Sequence, residues 1–257
     1  MSLHPIRASG YPDVVTVKWL ALLGVLYLVQ GLPAGLLAHV LPVVWRAEGV
    51  DLMYIGWLKL LALPWVLKAL WAPWLEAQLW RGVRLSRGLC LLHGLVAMTL
   101  AVVALVGPGT SWSGLLILAG CLLILNTLSA SQDVWVDGLA VRTLDERWRG
   151  LGNTMQVAGY KIGLIASGSG VLVMLPFLGW SVLIMLLCAA VVLAMLPVWT
   201  MRQALDGVSV RCREGSRDLA SMRLQTVWRG FLARPGIRLW LVVLLTYKLS
   251  DSLGSSM

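Results

Sequence analysis

The feature that most restricts this chain is a succession of apolar runs, several of which reach the roughly 18–20 residues needed to cross ~30 Å of hydrocarbon. In lipid every backbone N–H and C=O must be satisfied within the protein, so such runs fold as helices. The runs read as helices from about Val17 to Trp45, Met53 to Leu75, Leu89 to Val106, Ser113 to Val141 and Leu151 to Leu175. A sixth leads from the turn P-F-L-G-W at 176–180 to Thr200, and a seventh runs from Leu239 to Met257. Only 13% of the 257 residues are charged, too few to cover a soluble domain of this size. The expected fold class is an all-α polytopic membrane protein, lodged in the lipid bilayer. Its expected layout is a six-helix bundle over 1–200, a basic linker over 201–238 and a seventh helix over 239–257.

Charge follows the linkers. Arginines crowd 81–87, 142–149 and 202–238, while the turns at 46–52, 107–112 and 176–180 carry almost none. By the positive-inside rule the Arg-rich linkers and the N-terminus are cytoplasmic. The net charge of +9 therefore reports orientation, and no nucleic acid is expected as a partner. Fourteen tryptophans against two phenylalanines suit interfacial ring anchors, with Trp57, Trp65, Trp71, Trp74 and Trp80 as examples. The polar N-terminal segment and the length of the first apolar run argue against a cleavable signal. Cys90, Cys121, Cys188 and Cys212 form no C-x-x-C pair, so neither a zinc site nor a disulfide framework is expected. His39 and His93 stand alone, and H-E-x-x-H, G-x-S-x-G and G-x-x-x-x-G-K-[ST] do not occur. Enzyme chemistry, a cofactor and a metal are accordingly not expected.

Ionisable groups inside the spans are the functional signal, because they are rare, costly and normally partnered. Asn126, Ser129, Asp133 and Asp137 are spaced by three or four residues and share one helix face. If the runs on either side of 142–149 form an antiparallel hairpin, Asp133 and Lys161 lie at nearly the same depth. Lys68 lies deep enough in its span to face Asp133 instead, whereas Lys59 is near an end and can snorkel. Gln30 sits beside the G-L-P-A-G break at 31–35, either as a satisfied core residue or as a substrate-facing donor. Gly159, Gly163 and Ser167 recur every four residues, a stripe that permits close helix packing. Lys248 and Asp251 share a face of the last run, either as a structural pair or in coupling. A weak internal echo aligns 26–35 with 246–255, placing Tyr27 on Tyr247, as in a repeat of six helices.

Taken together, Q-G-L-P at 30–33, I-G at 55–56, L-K-A-L-W-A-P-W-L-E at 67–76, S-A-S-Q-D at 129–133, G-Y-K-I-G at 159–163 and Y-K-L-S-D at 247–251 resemble the AmpG-type muropeptide permeases. These belong to the major facilitator superfamily, near its acetyl-CoA transporter branch. The resemblance implies a twelve-helix carrier of which this chain is the first half plus helix seven, so a C-terminal half is an expected partner. It also implies proton-coupled import of anhydro-muropeptides across the bacterial inner membrane. On that reading Lys68, Lys161 and Lys248 meet the carboxylates of a small anionic substrate, and Tyr27, Gln30, Asn126 and Tyr160 bind its sugar hydroxyls. Asp133 or Asp251 exchanges the coupling proton, unless a permanent Asp133–Lys161 pair makes Asp133 a strut. Transport of another organic anion such as acetyl-CoA, or a carrier half that does not transport, are the alternatives. Glu76 stands where the superfamily carries the acid of its Asp–Arg–Gly–Arg linker cluster.

Overall fold

The computed structural model describes residues 13–108, 111–215, 230, 233–237, 239, 240, 242, 243 and 246. The side chains of Trp80 and of 211–215 are outside that description. Lys248 and Asp251 also lie outside the described residues. Helical stretches long and apolar enough to cross a membrane are Val14–Ala47 (α1), Leu52–Leu79 (α2), Leu85–Val106 (α3), Trp112–Thr143 (α4) and Glu146–Thr200. The last, at 55 residues, is far longer than one crossing needs. It breaks at Gly179, whose φ of 74° and ψ of 167° are accessible to glycine at little strain. The two arms are α5 (146–178) and α6 (180–200). The chain is an all-α polytopic membrane protein.

Contacts give the directions. On α6, Trp180 Nε1 donates to the Val103 carbonyl at 3.1 Å, Cys188 Sγ to that of Ala97 at 3.2 Å, and Val198 packs in the cluster of Leu85 and Leu89. Rising numbers on α6 meet falling numbers on α3, so the two are antiparallel. Trp65, Trp71 and Trp135 link α2 to α4 in matching order, through Asn126, Ser131 and the Leu75 carbonyl. These two helices are parallel. The Arg-rich segments 81–87 and 142–149 and the start of the third at Arg202 thus gather at one end, and the turns around 46–51, 107–111 and 176–180 at the other. Trp45 Nε1 ties the end of α1 to that second set, donating to the Pro108 carbonyl at 2.7 Å.

The tightest seam joins α1 and α5, which run parallel. A Cβ on Gly31 would lie 2.8 Å from the Leu164 nitrogen and closer still to the Tyr160 carbonyl. A Cβ on Gly163 would lie 3.0 Å from the Leu28 carbonyl carbon and 3.1 Å from the Gly31 Cα. Backbone meets backbone here, which only residues without a Cβ allow. Ser167 Oγ, fully buried, donates to the Gly163 carbonyl at 2.9 Å. The stripe expected at 159, 163 and 167 is matched by a second on α1, at Gly24, Gly31 and Gly35.

Two local expectations are corrected. Residues 31–35 remain α-helical, and the irregularity comes one turn later, as a widened π turn at Leu36–Val40 facing a second one at Ala166–Gly170. Pro33 removes one backbone donor, and the neighbouring helix covers the site. In α2 a tight 3₁₀ turn at Leu58–Ala62 precedes Pro64, whose ring cannot follow a regular preceding turn. Trp65 and Trp71 are not lipid-facing anchors, since both donate to α4, whereas Trp57 and Trp74 are more than half exposed.

Arg202–Gly215 was expected to belong to a linker and is instead a helix, α7. Leu205 and Val208, three apart, are buried against the bundle. α3 begins after Arg84 with no side-chain cap of its own. α7 supplies one: Ser209 Oγ accepts from Leu85 N–H at 3.0 Å, and Asp206 Oδ1 accepts from Ser86 N–H at 3.3 Å and Ser86 Oγ at 2.7 Å. Asp206→Ala is expected to lower stability by about 1–2 kcal/mol, the range for a lost cap, readable as a lower midpoint in detergent thermal unfolding. At the same end Arg142 donates to Glu76, joining α2 to α4. That pair is about a quarter exposed at Arg142, so Glu76→Gln should cost less, about 0.5–1 kcal/mol in the same assay.

Residues 215–257 form a separate compact unit. Its described part includes Thr246, whose hydroxyl donates to the Val242 and Val243 carbonyls at 3.0 and 2.9 Å.

Candidate functional site

Two apolar clusters fill the bundle, one toward each end. Trp19, Leu23 and Leu89 belong to one, Leu36, Leu100 and Leu122 to the other. Between them lies a polar layer of buried Gln30, His93, Asn126, Ser129, Gln132 and Asp133. At its edge opens a hollow of about 400 Å³ between α1, α2, α4 and α5. Tyr27, Gln30, Asp133, Tyr160 and Lys161 line it, together with Asp137, Trp65, Asn153, Gln156 and Val157.

The centre of the arrangement is Lys68. It donates to Asp133, whose side chain is 6% exposed, and lies 3.7 Å from Asp137. Its ammonium sits 5.7 Å from the centroid of the Trp65 ring. Tyr27 Oη donates to Asp137 and accepts from Gln156 Nε2 at 3.0 Å. A buried carboxylate needs such a partner, because desolvation otherwise outweighs its interactions. Lys161, exposed to the hollow, makes no ion pair among the described residues. The hairpin expectation therefore places Asp133 and Lys161 on one hollow but assigns the wrong pair. The reason is packing: α5 is seated on α1, and α1 separates it from most of α4.

Gln30 is 1% exposed, and neither its Nε2 nor its Oε1 has a partner among the described residues. A buried amide left unpaired costs about 1–3 kcal/mol, and Gln30 bears that cost on the wall of the hollow. Asn126 is different. It is buried behind Trp65, accepting from Trp65 Nε1 at 3.2 Å and donating to the Leu122 carbonyl at 3.0 Å. It positions Trp65 and does not line the hollow. His93 is a core residue, with Nδ1 2.8 Å from the Leu89 carbonyl.

The described wall carries one lysine, Lys161, and two aspartates, and with Lys68 paired to those aspartates the site is balanced in charge and not the cationic cavity expected. Asn153 and Gln156 were not singled out in the sequence, and neither Trp65, read there as a ring anchor, nor Asp137 was given a site role. Asn153, Gln156 and Tyr160 are spaced by three and four residues, Lys161 lies two steps of four beyond Asn153, and that polar stripe beside the glycine stripe was the available signal. Among the described residues no cluster of His, Cys, Asp or Glu is able to hold a metal ion.

No protein-family model matches the chain, and no solved structure does. Curated proteins do. The anhydromuropeptide permease of Escherichia coli K12 is 27% identical over 252 residues, covering 97% of this chain and 50% of that protein. Putative transporter AmpG 4 of Rickettsia conorii is 24% identical over 185 residues, covering 70% of this chain and 44% of that protein. Its namesake in Rickettsia felis is 26% identical over 159 residues. The chain is thus a relative of the AmpG-type permeases, and it spans about half the length of the curated relatives it matches.

Proposed function

We propose that this chain is half of a major-facilitator-type carrier that imports anhydro-muropeptides from periplasm to cytoplasm, driven by protons. The observation that carries the reading is a polar hollow with a Lys–Asp cluster at mid-span, in a chain similar over 97% of its length to a permease of that name. Charge tolerated at such depth marks a pathway more often than a brace. Lys161 takes a substrate carboxylate, Gln30, Tyr27, Gln156 and Tyr160 bind sugar hydroxyls and amides, and Lys68 holds the two aspartates. The proton exchanges within the Asp133–Lys68–Asp137 cluster. The Arg-rich end faces the cytoplasm, in the inner membrane.

The test joins residues 1–257 to the second half of the Escherichia coli permease and follows labelled anhydro-muropeptide in inverted and right-side-out vesicles. Accumulation that depends on the proton gradient is expected. Lys161→Met should raise the half-saturating concentration about tenfold, as for loss of a charge-assisted hydrogen bond worth roughly 1.5 kcal/mol. Asp137→Asn should uncouple uptake from the pH gradient. Unchanged uptake in both variants contradicts the assignment. A second reading is that residues 1–257 by themselves bind substrate without transporting it. Uptake by the unfused chain decides that point.

A further inference from the structure

A second hollow, of about 570 Å³, opens at the Arg-rich end, away from the mid-span site. Its wall joins Arg84 and Arg87, at the start of α3, to Arg202 and Gln203 of α7 and Trp199 of α6. All three arginines are exposed, and none pairs with an acid among the described residues. Among the described wall residues the sole carboxylate, Asp206, is already committed to the Ser86 N–H and hydroxyl. The Arg202 guanidinium lies over the Trp199 ring, 5.2 Å from its centroid, and that ring is 61% exposed. A tryptophan so placed sets the level at the membrane–water boundary.

These features differ from those of an ordinary solvated linker, whose arginines diverge into water. Here three of them, from two elements, converge on one cavity with surplus positive charge. Guanidinium forks match phosphate oxygens two at a time, and Arg202 is pre-oriented by its ring. We propose that this hollow binds a phosphate-bearing anion, which fastens α7 to the start of α3 alongside the Asp206 and Ser209 caps. A headgroup of an anionic lipid and a free phosphate compound share that chemistry. The site involves no residue of the mid-span hollow, so it stands or falls independently of transport.

The test is thermal unfolding of the full chain in neutral detergent. Phosphatidylglycerol is titrated against phosphatidylcholine in one arm, and inorganic phosphate against chloride at equal ionic strength in the other. Phosphatidylglycerol should raise the midpoint in the native chain. R84Q/R87Q/R202Q should weaken that effect by about fivefold in half-saturating concentration for each arginine removed. K18Q/R147Q/R149Q, which removes the same charge elsewhere, should leave it intact. Protection by the lipid alone identifies a headgroup site, and protection by phosphate alone identifies a soluble ligand. If neither protects, or if both triple variants respond alike, the site does not exist.

Discussion

Gly163→Leu is expected to lower the thermal midpoint of the bundle by about 10 °C or to prevent its recovery as a folded monomer. The estimate follows from an overpacking penalty of about 3 kcal/mol or more, at roughly 2–4 °C per kcal/mol for a chain of this size. The neighbour that must give way is the α1 backbone at Leu28 and Gly31, and backbone in a hydrogen-bonded helix does not yield as a side-chain tip does. Gly31→Leu should act similarly, through Tyr160 and Leu164. Two controls isolate the cause. A Cβ on Gly24 approaches the flexible Met155 Cε at 3.1 Å, so Gly24→Ala should be mild. Gly120 has nothing within 4 Å of a Cβ, so Gly120→Leu should shift stability by no more than about 0.5 kcal/mol. Size-exclusion chromatography after heating measures all four. Equal losses across the set would contradict the seam.

The second large effect concerns Lys68. Lys68→Met leaves Asp133, 6% exposed, without its cation and beside Asp137. Removing one partner of such a pair costs about 3–5 kcal/mol, most of it from the stranded charge. Lys68→Met with Asp133→Asn should recover most of that loss, because no buried charge is then left unpaired. The double-mutant cycle separates the pair from the general effect of losing a lysine. If the single and double variants are equally unstable, Lys68 acts through its packing and the cluster is not electrostatically coupled.

Much of this was legible in the sequence, and the failures have identifiable causes. The period of 3.6 on α4 correctly gathered Asn126, Ser129 and Asp133 onto a buried face, since helical spacing is a local property. The choice between Lys68 and Lys161 was not local. It depended on which helix packs beside α4, and chain adjacency suggested α5. The matched small residues of α1 and α5 carried the answer, because only a pair of stripes allows backbones to meet. α7 was hidden by composition, as its arginines outnumber the two leucine and valine side chains that seat it. Its capping of α3 pairs residues more than a hundred positions apart, and no local pattern announces that.

The account rests on Lys161, Val157 and Asp133 sharing one hollow open to water-borne reagents. The direct measurement is thiol labelling of single-cysteine variants K161C and V157C, with the native cysteines replaced by serine, using a membrane-impermeant reagent. L186C and V192C on α6, whose parent side chains are both exposed at the bundle surface, are the lipid-facing comparisons. The account predicts that K161C and V157C label rapidly, that anhydro-muropeptide protects both, and that L186C and V192C stay unreactive. Labelling of K161C as slow as that of L186C, with or without muropeptide, would contradict it.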